Sequence, residues 1–304
     1  MHPPPDRFRP FLDATARYYR RYDVLAAYVP ELIAMHCGHK TSIQLSLPND
    51  DDLGPSLIRL RDFCDRTGFH LARREEPDAI KVLLANRPLP DDEFHDKAKL
   101  GELLSYPACC IDHCIGNDLN NPLIDHLGDL IRDGDCFPYW MNLFLQTSPF
   151  HLFKHYPCSL TCDVTSAYAQ TLLEKIREAN PSLWTHLRTF LPGPVLYTDI
   201  CGAGICLVGK PDTEAHPVGR GAMGSVTVHY RDLFWDANPS QVGPMSRRNT
   251  PDDVELFGRL TSLLGQGDQV TLADDACVIR RGTRVMGRLK RPTHLHWKIL
   301  EFKL

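Results

Sequence analysis

Two short segments constrain this chain more than any other feature. Tyr106-Pro107-Ala108-Cys109-Cys110-Ile111-Asp112-His113-Cys114 and His155-Tyr156-Pro157-Cys158-Ser159-Leu160-Thr161-Cys162 each set a Tyr-Pro just ahead of clustered cysteines, and each contains Cys-x-x-x-Cys. On a helix that spacing puts two thiols on one face, one turn apart. Proline just ahead suits a helix start, and a helix N-terminus stabilises thiolate, the form that binds metal. A fold that joins the segments assembles four thiolates, the complement of a structural zinc or of an iron–sulfur cluster such as 4Fe-4S.

The ligand set is redundant. One combination is Cys109 and Cys110 with Cys158 and Cys162, since adjacent cysteines on a strained turn can both reach a cluster, which is wider than one ion. The other takes Cys114 in place of Cys109; a single zinc favours it, because neighbouring side chains usually diverge, and it can also use His155. The spacing is neither the bacterial ferredoxin run nor a zinc-finger pair. Nor is it the radical-SAM step, since Asn117 stands where a third cysteine would follow Cys114. The competing readings are buried cysteines acting as small apolar residues and a metal-free thiol oxidoreductase with a low-pKa thiol.

Composition narrows the class. With 304 residues, 43% hydrophobic and 24% charged, the chain is ordinary globular material for two or three domains, which excludes disorder as its main state. No apolar run approaches the roughly 20 residues of a membrane helix. The start, Met1-His2-Pro3-Pro4-Pro5-Asp6-Arg7, has no apolar core of a signal peptide. A net charge of −4 gives no reason to expect nucleic acid. Eleven cysteines, an odd number, fit a complete disulfide framework poorly and fit reduced thiols in a cytoplasmic protein better.

The pattern along the chain predicts an α+β protein in three parts. Residues 1–92 form a small α/β unit. It has a helix face at Phe8, Phe11, Leu12, Tyr18, Tyr19 and Tyr22, a helix between Val24 and Met35 with a kink or late start at Pro30, and a strand at Thr41–Leu47. A helix through Leu57, Leu60, Phe63 and Cys64 ends at Gly68, and strands follow at Phe69–Ala72 and Ala79–Leu84. Residues 93–191 form a helical Cys-rich centre, with helices at Lys97–Leu104, Ile111–Ile115, Pro122–Arg132, Trp140–Leu145 and Thr165–Ala179, the last with Ala169, Leu172 and Ile176 inward. Residues 192–304 form a β-rich domain, with a helix at Asp252–Leu264, a meander over Gln269–Met286, a last strand at His296–Phe302 and a polar loop at Asn238–Pro251.

From Gly101 to Leu173 the chain resembles an uncharacterised prokaryotic Cys-rich family, a domain of unknown function. The shared segments are Tyr-Pro-x-Cys-Cys, here Tyr106, Pro107, Cys109 and Cys110, and Pro-Cys-Ser-x-x-Cys, here Pro157, Cys158, Ser159 and Cys162. The resemblance implies a shared cysteine site and favours the vicinal pair over Cys114, which the family pattern lacks. It implies no reaction.

Other groups are weaker candidates. Asp112, His113, His155 and Asp163 lie close in sequence to the cysteines and suit acid–base work or support of the ligands. For Asp163 a helix cap is the simpler role. The aromatic run Phe137, Tyr139, Trp140, Phe144, Phe150, Phe153 and Tyr156 walls a pocket or, more simply, packs a core. His294 and His296 project from one strand face without a visible partner. No dinucleotide fingerprint, phosphate loop or nucleophile elbow is present. The expected function is a cytoplasmic iron–sulfur enzyme with redox or sulfur-transfer chemistry on a small-molecule substrate. Cys109, Cys110, Cys158 and Cys162 are its ligands and His155, Asp112 and His113 its acid–base groups. The alternative is a non-enzymatic binding or scaffold protein with a structural four-cysteine zinc.

Overall fold

Alternating apolar residues suit a strand with one buried face, whereas an unbroken apolar run suits a strand covered on both. Ser42–Pro48 is the first kind, and Ala79–Ala85, with its apolar run Val82–Ala85, approaches the second, and they differ accordingly in position within their sheet. In the computed structural model, residues 28–48, 53–75, 79–89, 96–117, 129–131, 134–146, 150–200, 203–208, 217–220, 225–235 and 250–303 are described. Along the chain these give α1 (Val29–His36), β1 (Ser42–Pro48), α2 (Leu53–Thr67), β2 (His70–Glu75), β3 (Ala79–Ala85), α3 (Lys97–Leu103), α4 (Ala108–Gly116) and β4 (Cys136–Pro138). Then come α5 (Asp163–Ala179), α6 (Pro181–Phe190), β5 (Gly193–Thr198), β6 (Ala203–Val208), β7 (Pro217–Arg220), β8 (Val226–His229) and β9 (Asp232–Trp235). The chain continues with α7 (Pro251–Gln266), β10 (Gln269–Leu272), β11 (Ala276–Arg281), β12 (Arg284–Lys290) and β13 (Trp297–Lys303). The fold class is α+β, with separate helices and largely antiparallel sheets.

The chain divides into two compact units. The first holds α1 to α5 and a three-stranded antiparallel sheet in the order β1-β3-β2. Central β3 buries Val82, Leu83, Leu84 and Ala85 completely, while β1 buries Ser42, Ile43, Leu45 and Leu47 and leaves Gln44 and Ser46 partly exposed. Edge strand β2 carries exposed Arg73, Arg74 and Glu75, charges that discourage further pairing. Leu83 packs with Leu103, Leu104, Leu100 and Tyr106, which seats the α3–α4 corner on the sheet. Leu103 O accepts from the Thr41 and Ser42 hydroxyls, so the same corner is also pinned by hydrogen bonds. Ser105 turns the corner at φ +59°, a conformation that favours glycine. Gly101 lets α4 approach closely, since a Cβ there would stand 2.9 Å from Ile111 Cγ1.

The second unit holds two five-stranded sheets, β12-β11-β10-β8-β7 and β4-β13-β5-β6-β9. Helix α7 lays Phe257, Leu260 and Leu264 into a core with Val228, Val270, Ile279 and Trp297. Its start is fixed by a capping box in which Thr250 and Asp253 satisfy one another's backbone N–H.

Two local expectations are corrected and one helix is added. Trp140–Leu145 is not one helix but two 3₁₀ turns, Tyr139–Met141 and Leu143–Leu145. Between them Asn142 is extended, and its buried amide donates to Leu191 O and accepts from Phe144 N, partners a continuous helix would not leave it. One helix that the pattern left unassigned, α6, starts at Pro181, because Asn180 Oδ1 accepts from Leu183 N and proline suits the first turn. His294 and His296 precede β13 rather than lying on a strand. His294 Nε2 meets Asp253 Oδ1 at 3.0 Å, and His296 donates its backbone N–H to Asp199. Each thus neighbours a carboxylate from elsewhere in the chain. The expected helix at Phe8–Tyr22, most of that at Pro122–Arg132 and nearly all of the polar loop lie outside the described residues.

Candidate metal centre

The α3–α4 corner delivers Cys109 and Cys110 in the first turn of α4, just after its N-cap Pro107. Ile111 N donates to Pro107 O at 3.0 Å, so the helix begins at the proline, as its missing N–H allows. The second segment does not form a helix through its cysteines. Cys158 to Cys162 make a tight turn, with Cys162 N donating to Ser159 O at 3.1 Å and Thr161 N to Ser159 Oγ at 3.0 Å. Helix α5 starts at the next residue, Asp163. Both cysteine segments therefore stand at helix starts, where the positive end of the backbone dipole favours thiolate.

Cys109, Cys110, Cys158 and Cys162 converge, all four Sγ atoms lying within 4.8 Å of one another. The vicinal thiols do not diverge, since Cys109 Sγ and Cys110 Sγ are 3.9 Å apart. Side chains in the first turn lean back toward the helix start, so two neighbours there can reach one point beyond its end. Cys114, one turn further along α4, is half-buried and stands outside the group. Environments within the group are unequal. Cys110 and Cys162 are buried, Cys158 is half-buried and Cys109 is exposed. Cys158 N donates to Cys110 Sγ at 3.3 Å, and Thr165 Oγ1 lies 3.4 Å from the same sulfur.

His155 is not in the thiol group but borders it through Thr165, whose Oγ1 is 3.0 Å from His155 Nε2. Burial, aided by the Lys40 charge, holds its pKa down to about 3, so the imidazole is neutral near neutral pH. Its ring packs against Tyr106 and Phe153, with centroids 4.9 and 5.3 Å away. Asp112 is exposed on α4, and His113 meets the Asn117 side chain at 3.1 Å. Asp163 opens α5 and is exposed.

No protein-family model, curated protein or solved structure matches the chain.

Two features of this region are silent in the residue pattern. Lys40 Nζ bonds Glu31 Oε2 at 2.7 Å with both side chains almost fully buried, and the ammonium also sits 5.2 Å from the Tyr106 ring centre. Lys40 falls on no periodic stripe, and Glu31, a charge inside the apolar run Val29–Met35, gives no sign of its partner. Thr165 did carry a signal. It shares the inward stripe of α5 with Ala169, Leu172 and Ile176 and is fully buried with them, a polar side chain where an apolar one is expected. The aromatic run is core rather than pocket wall at Phe137, Phe144, Phe150 and Phe153, all buried, whereas Tyr156 is exposed. Elsewhere burial pushes the Cys64 and Cys277 thiols up to about 11 and about 12, so these two are packing residues. Among the described residues no helix is long and apolar enough to cross a membrane.

Proposed function

We propose that this chain is a structural metalloprotein, in which one tetrahedral ion, zinc by the chemistry of its donors, is held by Cys109, Cys110, Cys158 and Cys162. The spacing of the sulfurs carries the reading. A zinc–thiolate bond of about 2.3 Å sets the edge of an S₄ tetrahedron at about 3.8 Å. An iron–sulfur cluster inserts irons and sulfides between its thiolates and spreads them well beyond that edge. A set confined within 4.8 Å, with one pair at 3.9 Å, suits a single ion. Four protein thiolates fill the coordination sphere, and a closed site of this kind stabilises a fold rather than activating a water. The ion ties the start of α4 to the turn ahead of α5. Reduced thiolates persist in a reducing compartment, so the reading places the protein in the cytoplasm, as a binding or scaffold protein.

A second reading, the iron–sulfur enzyme acting on a small molecule, is favoured by the exposure of Cys109, which leaves one edge of the site near solvent. Metal and acid-labile sulfide analysis with a visible spectrum, on protein purified without oxygen, decides between them. One zinc per chain, colourless and without sulfide, is the expected result. Iron with sulfide and a brown colour overturns it in favour of the cluster. Absence of any metal overturns both readings.

A further inference from the structure

We propose that Thr165 is a positioning residue of this metal centre: its hydroxyl donates to the Cys110 sulfur and is held in that direction by the Nε2–H of His155. The inference rests on the four-thiolate reading above and concerns how that site is tuned. It follows from counting protons. A metal-bound thiolate carries none, so Cys110 Sγ can only accept. Thr165 Oγ1 has one proton to give and two neighbours, Cys110 Sγ at 3.4 Å and His155 Nε2 at 3.0 Å. If that proton pointed to the imidazole, the oxygen would turn lone pairs toward an anionic sulfur. Both contacts are hydrogen bonds only when the hydroxyl proton faces the sulfur and the imidazole proton faces the hydroxyl oxygen. This assigns His155 the tautomer protonated at Nε2. Burial keeps water from competing, since Thr165 is 0% and His155 7% exposed.

Cys110 then accepts from the Cys158 backbone N–H at 3.3 Å and from Thr165. Both draw charge from the sulfur, which stabilises it as a ligand and lowers its nucleophilicity. Outer-shell partners of this kind typically change metal affinity by 10- to 100-fold. Methyl packing on the α5 stripe is the other use of a buried threonine, and valine would serve it equally, which makes the two roles separable.

The test loads the metal-free full-length chain with Co²⁺ and reads the sulfur-to-cobalt charge-transfer band and the affinity. Thr165→Val keeps the shape and removes the hydroxyl. The expected result is a band at longer wavelength and an affinity lower by about tenfold or more, with Thr165→Ser restoring both. His155→Phe should behave as T165V does, while His155→Gln, whose amide N–H falls near the position of Nε2, should keep the wild-type band. If T165V fails to fold, the His155 pair reads the same hydrogen bond. A T165V protein with wild-type band and affinity overturns this proposal alone. A wild-type chain that binds neither Co²⁺ nor Zn²⁺ overturns the metal-centre reading itself.

Discussion

Cys110 and Cys114 are one helical turn apart, yet only the first shares a point with three other thiols. Cys158→Ser is therefore expected to lower bound metal and the Tm, whereas Cys114→Ser leaves both unchanged. Metal analysis and thermal melts of the two variants check this, and loss of metal in the Cys114 variant would assign the ligands wrongly. His155 supplies a second residue-level expectation. Its pKa is about 3 in the folded chain against an ordinary 6.5, so between those values the unfolded state takes up a proton that the folded state refuses. Its contribution to stability is thus full above about pH 6.5 and is lost as pH falls toward about 3. In urea melts of the metal-free protein, wild type should lose stability more steeply over that window than His155→Gln. Equal slopes would show that the imidazole is not buried uncharged. The legible part at this scale was residue identity. The cysteines advertise themselves, and Thr165 interrupts an apolar stripe. Lys40 and Glu31 do not announce their pairing, because one stands in α1 and the other just ahead of β1, and a contact across that turn has no helical or strand period.

Helices and strands followed the residue pattern wherever one face is buried, as in α2, α5, α7 and the meander from β10 to β12. The pattern misled where a single side chain outweighs periodicity. Asn142 breaks an apolar run by its own hydrogen bonds, and Asn180 caps α6, a helix the pattern left unassigned. The turn through Cys158–Cys162 is a third such place, where Ser159 takes the backbone donors that a helix would have used. Two substitutions test how these elements matter. Gly101→Ala forces Ile111, and with it the start of α4, away from α3, so a destabilisation of about 1–3 kcal/mol with weaker metal retention is expected. Thr250→Ala removes the capping box of α7 and should cost about 1 kcal/mol without altering metal content. Denaturant melts paired with metal analysis read both. Metal loss in the Thr250 variant would contradict the local character of the site.

For the whole molecule the α+β class was legible from the alternation of apolar residues, because burial of one face imposes its period on the sequence. Strand order was not legible. Pairing of β4 with β13 joins residues 136–138 to 301–303 in parallel, and nothing local announces so distant a partner. Removing the ion with a chelator is expected to lower the Tm, with zinc restoring it. A chelated protein that melts as before would show that the ion does not support the fold.

The contact between Cys158 and Cys110 has a topological meaning as well. With metal bound, the chain between them, whose ends are 48 positions apart, becomes a closed ring, and ring closure of that length restricts the unfolded chain by about 4 kcal/mol in the cross-link picture. A single cut between Cys114 and His155 would then open the backbone without parting the halves. The nicked chain should travel as one species in denaturant while the ion remains, and as two fragments once it is chelated.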